Sequence, residues 1–298
     1  MEIAVISGKG GTGKSSISAA FATLGNEVVL ADCDVDAANQ YLIFNPTHEE
    51  TEIFVGGQKA VVDLAACTQC GQCIEYCRFE AITPADEGIK ISQVACEGCN
   101  LCVRMCPAQA IKLVNHDQSR LYAGKFRNGQ MVYGRLAPGE ENSGKLVSMV
   151  RKKARQRSLN TPVLDIIIDG PPGIGCPVIS SVTGVDQVVI VTEPSGSGFH
   201  DLSRIVAVVK SFRIKKIWVI INKSDLDESM NHKIMAWCKE QGLEVITCLA
   251  FDSLFVEAII NCKSIIEWAP TAAVSIELTR AWKKITDWHT GSLKAVSS

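Results

Sequence analysis

The most informative part of the sequence for the fold is Gly8-Lys9-Gly10-Gly11-Thr12-Gly13-Lys14-Ser15, near the N-terminus. It follows the short apolar run Glu2–Ile6, which is typical of a buried strand, and it opens a helical pattern over Ser15–Leu24. Its glycines let successive backbone N–H groups surround phosphate oxygens, and the helix adds the positive end of its dipole. The Lys14 ammonium is suited to the β- and γ-phosphates, and the Ser15 hydroxyl to Mg²⁺. The pattern therefore predicts a phosphate-binding loop (P-loop) after a parallel strand.

A buried carboxylate predicts the other half of this site. Asp169 ends the apolar run Val163–Ile168 and is followed by Gly170-Pro171-Pro172-Gly173. A carboxylate at the end of a buried strand is costly unless a cation compensates it. We therefore expect Asp169, together with Ser15, to hold Mg²⁺. The predicted nucleotide ligands in the loop are Gly8, Gly10, Gly11, Thr12, Gly13, Lys14, Ser15 and Ser16.

Composition excludes several classes of protein. The chain has 298 residues, of which 47% are hydrophobic and 21% charged, and this is typical of a globular protein. Lys plus Arg total 30 and Asp plus Glu total 32, so the net charge of −2 gives no reason to expect nucleic acid or a membrane as a partner. No apolar run reaches the roughly 18–20 residues that span a bilayer, and no export signal precedes the loop. We expect a soluble, cytoplasmic protein.

Eight of the 13 cysteines form two matching runs, each spaced C-x2-C-x2-C-x3-C. The runs are Cys67, Cys70, Cys73 and Cys77, and Cys96, Cys99, Cys102 and Cys106. This is the bacterial ferredoxin spacing, in which the fourth cysteine of each run ligates the other cluster. It predicts two 4Fe-4S clusters. One takes the first three cysteines of the first run with Cys106, and the other takes the first three of the second run with Cys77. Zinc is the alternative, but twin runs of four cysteines disfavour it.

The arrangement of strand and helix patterns predicts one interrupted domain. Short β-branched runs alternate with helical patterns along most of the chain, but cysteines and glycines replace them from about residue 60 to about residue 112. The fold class is therefore α/β, a P-loop NTPase with a mostly parallel sheet and an inserted ferredoxin-like iron–sulfur domain. We expect the P-loop domain at 1–58 and 141–298, the ferredoxin domain at 59–117 and a connector at 118–140. Within the connector, Leu121–Ala137 is expected to form a hairpin over the insertion.

The string Lys9-Gly10-Gly11-Thr12-Gly13-Lys14-Ser15 resembles the deviant Walker A loop of the MinD/ParA/Mrp ATPases, which include the nitrogenase iron protein. The resemblance implies a homodimer around two Mg·ATP, with Lys9 reaching the partner's nucleotide. The stretch Asp32–Asn39 resembles the first switch segment of this family, in which an aspartate positions the attacking water. The spacing to Asn39 favours Asp34 over Asp32 and Asp36 for this role. The candidate catalytic residues are Lys9, Lys14 and Asp34.

Two assignments stay open. Asn222-Lys223-Ser224-Asp225 resembles the guanine-reading motif of GTPases, but the MinD-like family binds ATP, so we favour ATP with Asn222 near the base. Gly173 and Gly175, after Asp169, lie in a segment that resembles the second switch segment of this family, and Cys176 lies just past it, where the nitrogenase iron protein has a cluster ligand. A bridging metal at Cys176 is therefore one alternative, and an ordinary packed thiol is the one that we favour.

Two helical patterns have alternative interpretations. The basic run Arg151–Arg157 is interpreted as a solvated helix face, with a patch for an acidic partner or nucleic acid as the alternative. The C-terminal pattern over Ala273–Trp288 has apolar residues on one side, and we expect it to pack in the core, although MinD uses such a helix to bind membranes.

The resemblance covers nearly the whole chain and implies an ATPase. The first hypothesis for its function is nucleotide-gated electron transfer through the two clusters to an unidentified redox acceptor protein. One alternative is an iron–sulfur assembly or carrier ATPase that delivers clusters to an acceptor. The other is a MinD-like positioning ATPase in which the clusters are structural.

Overall fold

A nine-stranded sheet with helices on both faces forms the body of residues 1–159 and 165–296, the part of the chain that the computed structural model describes. The strands, in chain order, are β1 (Glu2–Ser7), β2 (Val28–Asp32), β3 (Glu50–Phe54), β4 (Gly57–Val62), β5 (Ile82–Ala85), β6 (Gly88–Ile91), β7 (Ile111–His116), β8 (Ser119–Phe126), β9 (Gly129–Arg135), β10 (Asp165–Pro172), β11 (Gln187–Thr192), β12 (Lys216–Asn222) and β13 (Glu244–Leu249).

The helices, in chain order, are α1 (Lys14–Leu24), α2 (Gln40–Phe44), α3 (Gln72–Glu75), α4 (Leu101–Met105), α5 (Ser143–Leu159), α6 (Cys176–Val182), α7 (Gly196–Lys210), α8 (Glu228–Glu240), α9 (Leu254–Ile260), α10 (Ile265–Trp268) and α11 (Ala273–Val296). One core, beneath α5 to α8, covers one face of the large sheet. A second core, beneath α1, α2 and α9 to α11, covers the other face.

The order of the large sheet is β13-β12-β11-β1-β10-β2-β9-β8-β3, and the seven strands from β13 to β9 run parallel. Strands β1, β2, β10, β11 and β12 are buried on both faces along most of their length, which is why their sequences are largely apolar runs. The chain passes from β1 to one side of the sheet through β2 and later builds β11, β12 and β13 on the other side. The carboxyl ends of the strands at such a switch point border a crevice where ligands bind.

The hairpin β8–β9 extends the large sheet. The sequence predicts this hairpin but places it over the insertion, and that placement is wrong. Strand β9 pairs parallel with β2, so that Tyr133 lies beside Asp32, and β3 pairs antiparallel with β8 at the sheet edge. Met131, Val132 and Tyr133 are all buried, so successive side chains of β9 face the two cores.

The cysteine module, residues 57–116, forms two small sheets apart from the large one: β4 with β7 and β5 with β6, both antiparallel. Its two halves repeat at 29 residues, the distance from Cys67 to Cys96. Left-handed backbone occurs at matching positions in each half, with φ of 57° at Gln69 and 62° at Gly98. The halves β4–α3–β5 and β6–α4–β7 therefore fold alike.

Directed polar contacts join the cysteine module to the segment after the hairpin. Buried Lys59 on β4 donates a hydrogen bond to the carbonyl oxygen of Gly139 at 2.6 Å, and another at 2.5 Å to that of Cys96 within the module. His116, at the end of β7, contacts the Glu140 carboxylate. Because these bonds depend on direction as well as distance, they hold the module in one orientation against the rest of the chain.

Helix α11 packs in the core, as the sequence predicts. The four apolar residues on its inner side are buried: Val274, Leu278, Trp282 and Ile285. Within the ranges 1–159 and 165–296, no helix combines the length and the apolar character that crossing a bilayer requires.

The interpretation of the basic run as a solvated face is wrong for its first residue. Arg151 on α5 is buried, and its guanidinium lies 2.6 Å from Glu2 Oε1 and donates to the carbonyl oxygens of Ser180 and Thr183. Farther along α5, Lys153 and Arg157 pair with acidic residues of β3 and the residue before it: Glu49, Glu50 and Glu52. These charges fasten α5 to the sheet edge.

We expect Arg151→Met to lower the free energy of unfolding by about 3 kcal/mol, because it leaves a partly buried carboxylate and two carbonyl groups without their main donor. Urea unfolding followed by circular dichroism measures this change. Lys152→Met, at the exposed neighbouring position, is the matched control and should change stability by less than about 0.5 kcal/mol. Equal effects of the two substitutions would contradict a role for the buried pair.

Candidate nucleotide site and cysteine cavities

The P-loop runs from the carboxyl end of β1 to the start of α1, and its backbone requires glycine. Gly11 and Gly13 adopt φ of 79° and 87°, in the left-handed region that favours glycine. A Cβ on Gly13 would lie 2.3 Å from Nδ2 of Asn222, and that amide donates to the carbonyl of Thr12 at 2.9 Å. A side chain at position 13 would therefore displace the amide that supports the loop.

Lys14 and Asp169 form a buried ion pair beneath the loop. Lys14 Nζ lies 2.7 Å from Asp169 Oδ1, and the side chains are 6% and 0% exposed. The same ammonium lies 3.8 Å from Asp34 Oδ2 and donates to Ser15 Oγ at 3.1 Å. The structure thus brings together four side chains that the sequence assigned to phosphate, Mg²⁺ and water.

The acidic surroundings change the protonation of these groups. Burial alone lowers the pKa of Lys14, but the carboxylates of Asp169, Asp34 and Asp32 outweigh burial and raise it, so Lys14 stays charged. Burial, together with the neighbouring Asp169 carboxylate, raises the pKa of Asp32 to about 7. Burial also raises the pKa of Asp34. Three carboxylates around one ammonium leave the site short of positive charge, which suits a divalent cation.

Two partners of Asp169 were not predicted. Ser18 Oγ donates to Asp169 Oδ1 at 2.9 Å, and Gln40 Nε2 donates to Asp169 Oδ2 at 2.8 Å. Ser18 lies one helical turn after Lys14, so the 3.6-residue period could have identified it. Gln40 follows Asn39 at the start of α2, and no spacing rule connects it to Asp169.

Lys9 contacts residues of its own chain. Its Nζ lies 2.6 Å from Glu193 Oε1 and donates to the hydroxyls of Ser195 and Ser197 at 3.2 and 2.9 Å. Lys223 binds the other oxygen of Glu193 at 3.0 Å. Burial raises the pKa of Glu193, but the hydrogen bonds from Lys9 and Lys223 outweigh it and hold the pKa below its usual range. Glu193, a residue that the sequence analysis missed, is the anchor for Lys9 within one chain.

The structure places Asn222 beneath the P-loop. Its side chain is buried and bound to Thr12, and it is not among the residues that line the cavity over the loop. Asp225 Oδ1 accepts a hydrogen bond from the backbone N–H of Phe251 at 2.7 Å. Both side chains of the motif that resembles a guanine-reading sequence are therefore engaged within the protein.

The residues of the loop fit a magnesium nucleotide. A cavity of about 280 Å³ lies over the loop, and its lining includes Lys14, Ser15 and Asp34. In the described residues, the buried Thr12 hydroxyl has no hydrogen-bond partner. Buried hydroxyls are nearly always satisfied, so an unpaired donor here is suited to a phosphate oxygen. Ser15 and Asp169 supply the oxygen atoms that Mg²⁺ prefers.

Two cavities in the cysteine module are each lined by four cysteines. One is lined by Cys67, Cys70, Cys73 and Cys106, and the other by Cys77, Cys96, Cys99 and Cys102. These sets match the predicted cluster ligands, including the exchange of the fourth cysteine, and all eight are free thiols. Burial, and then the neighbouring thiols of Cys96, Cys99 and Cys77, raise the pKa of Cys102 to about 11.

The cysteines do not form a site for one metal ion. Across 1–159 and 165–296, no group of three or more His, Cys, Asp and Glu side chains is spaced to hold a single ion. Thiolates around one zinc stand about 3.8 Å apart, given a Zn–S bond of about 2.3 Å. The described cysteines therefore show no ready site for a single zinc ion.

The parallel sheet, the P-loop at its switch point and the carboxylate on the adjacent strand define a P-loop ATPase. Residues 3–265 match the family model described as the CobQ/CobB/MinD/ParA nucleotide binding domain, and the chain belongs to that family. It is also 35% identical to an uncharacterized protein of Methanocaldococcus jannaschii over 231 residues, which are 76% of this chain and 79% of that protein.

Solved structures share the fold. The septum site-determining protein MinD from Pyrococcus horikoshii, in complex with Mg-ADP, is 16% identical, with a TM-score of 0.55 and coverage of 95% of each chain. An ATP complex of McdA from Cyanothece is 17% identical, also with a TM-score of 0.55, and the match covers 96% of this chain and 95% of that one.

We expect Gly13→Ala to weaken nucleotide binding at least 10-fold, because the new Cβ would displace the Asn222 amide and the backbone would be strained. Titration with a fluorescent ADP analogue measures the affinity. Gly291→Ala, an exposed position on α11 with open space around it, is the control and should bind as the wild type does. Unchanged affinity in the Gly13 variant would contradict the role of this glycine.

Proposed function

We propose that the protein is a MinD-type ATP-driven switch, a dimerising ATPase whose nucleotide state controls docking to a partner, and that its cysteine module carries two 4Fe-4S clusters. Family membership and the fold shared with MinD support the ATPase part, and they favour this MinD-like interpretation over the electron-transfer hypothesis. The observation that carries the proposal is the buried Lys14–Asp169 ion pair beneath a P-loop.

The ion pair suggests how nucleotide binding changes the site. The triphosphate carries several negative charges and competes with Asp169 for the Lys14 ammonium. When Lys14 turns to the phosphates, Asp169 keeps its hydrogen bonds from Ser18 and Gln40 and, with Ser15, is free to hold Mg²⁺. Mg²⁺, when bound, neutralises charge on the phosphate oxygens. In this proposal Asp34 positions the attacking water.

Lys9 and the second switch segment make the proposed cycle depend on a second copy of the chain. Within one chain Lys9 is held by Glu193, so it must leave this carboxylate to reach a partner's nucleotide. Strand β10 continues from Asp169 directly to Gly173, which has φ of 93°. A change at Asp169 is thus passed to a segment that can move with the phosphate. We propose a homodimer on this basis, with ATP as the nucleotide.

We expect Lys14→Ala to reduce ATP hydrolysis at least 100-fold, because the phosphates lose their buried ammonium. Asp34→Ala should reduce kcat comparably while changing nucleotide affinity less than 3-fold, because its proposed partner is the attacking water. Phosphate release and nucleotide binding measure the two effects. If either variant hydrolyses ATP at the wild-type rate, the role proposed for that residue is wrong.

The cysteine cavities support the iron–sulfur part of the proposal. Each of the two cavities offers four free thiols, and each set combines three cysteines of one run with one cysteine of the other. Backbone N–H groups of Ala60 and Ala110 donate to the sulfur atoms of Cys96 and Cys106 at 3.4 and 3.3 Å. Such hydrogen bonds stabilise cluster thiolates, and a bound cluster supplies one-electron chemistry.

We expect anaerobically purified protein to contain about eight iron and eight sulfide per chain, and Cys99→Ser to lose about half of each. Colorimetric assays measure both. Cys262→Ser, an exposed thiol outside the module, should retain the full content. Stoichiometric zinc without sulfide would contradict the cluster proposal.

Electron transfer remains the second candidate, because the spacing of the cysteines is that of bacterial ferredoxins, and a redox module of this kind would need an acceptor protein. EPR spectra of the reduced protein with and without Mg·ATP distinguish the two functions. Electron gating requires the signal or its midpoint potential to respond to nucleotide, whereas structural clusters do not respond. Delivery of iron and sulfide to an apoprotein would favour the carrier alternative.

A further inference from the structure

Gln40 has an unusual environment in the nucleotide site. It is fully buried at the start of α2, and its Nε2 donates to the Ser15 carbonyl and to Asp169 Oδ2, both at 2.8 Å. Its other amide atom, Oε1, is buried and has no hydrogen-bond partner among the residues that the structure describes. The amide therefore connects the P-loop helix to the magnesium carboxylate and leaves one acceptor unused.

The orientation of this amide is determined by its partners. Both neighbours of Nε2 are acceptors, a carbonyl and a carboxylate, so exchanging the nitrogen and oxygen of the amide would place two oxygens against them. A buried, unsatisfied amide oxygen costs about 1–3 kcal/mol. An unpaired acceptor of this kind is suited to a donor that is present only in the loaded site.

The surrounding charges indicate which donor this is. Lys14 is the cation held at Asp169, and in the proposed function it turns to the phosphates when nucleotide binds. Mg²⁺ held by Ser15 and Asp169 would supply bound waters, whose O–H groups are strong donors. A carbonyl oxygen beside the metal carboxylate is a suitable acceptor for such a water.

We infer that Gln40 is a positioning residue for Mg²⁺: its Nε2 holds Asp169 in place after Lys14 leaves, and its Oε1 accepts a hydrogen bond from a water bound to the metal. This inference rests on the proposed function. Neither role of the Gln40 amide belongs to the P-loop motif. If the inference is right, loss of the amide weakens magnesium binding more than nucleotide binding.

The test is Gln40→Met, which keeps the length of the side chain and removes both polar groups. A fluorescent ADP analogue is titrated with Mg²⁺ at fixed nucleotide, and again in EDTA. We expect the Mg²⁺ concentration for half-maximal tightening to rise about 10-fold or more, as for other partners of metal ligands. Affinity in EDTA should stay within 2-fold of the wild type. Gln40→Asn shortens the side chain by one methylene and moves the amide away from Asp169, so it should give the same shift. It replaces Gln40→Met in the test if the Met variant does not fold.

Gln187→Met is the matched control. Gln187 is also fully buried, but its amide contacts Trp218 and the Ile285 carbonyl, away from the nucleotide site. This variant should lower the thermal midpoint and leave the Mg²⁺ titration unchanged. If the wild type itself shows no Mg²⁺-dependent nucleotide binding, the proposed function fails. If the wild type shows it and Gln40→Met matches the wild type, or loses affinity equally in EDTA, the inference on Gln40 is overturned.

Discussion

The fully buried carboxylate of Asp169 is the interaction on which the nucleotide site depends. Asp169 lies between Val5 of β1 and Asp32 of β2 at the carboxyl end of the central strands, where it is fully buried. A buried charge is tolerated only when it is paired and hydrogen-bonded. Lys14, Ser18 and Gln40 supply those partners, so the P-loop helix and α2 both meet at one side chain. The nucleotide site is the consequence of satisfying that charge.

The two functional regions are stabilised by different forces. The host sheet is stabilised by apolar layers on both faces, which favour burial without prescribing direction. The cysteine module has only a small core of its own and is attached to the host by directed contacts from Lys59 to Gly139 and from His116 to Glu140. Segment 137–142, which receives these contacts, leads directly into α5, where Gly144 lies next to the backbone of Cys176 at the start of α6. The module and the second switch segment therefore border the same helix. Cys176 is exposed, so the expectation of a packed thiol there is wrong.

The sequence was informative where chemistry resides in one continuous segment. The conformation of the P-loop and the grouping of the cysteines could be predicted, because the spacing within a short segment determines which groups can converge. The parallel strands could be predicted because burial on both faces leaves uninterrupted apolar runs. Spacing could not predict contacts between distant segments: Gln40 on Asp169, Glu193 on Lys9, or Arg151 on Glu2. Spacing also could not predict where the hairpin lies. The pattern of its residues predicts two strands but does not say which other strands they pair with.

The way in which the cysteine module joins the sheet has a consequence for its origin. Phe54, the last residue of β3, pairs with Ser119, the first residue of β8, and Gly57 pairs with His116 just beyond them. The module thus leaves the host at the end of β3 and re-enters it at the start of β8, and these two strands pair with each other in the large sheet. An ancestral gene without these codons would encode β3 and β8 as an ordinary hairpin. A single insertion event is therefore enough to add the module, and its loss would leave the host ladder intact.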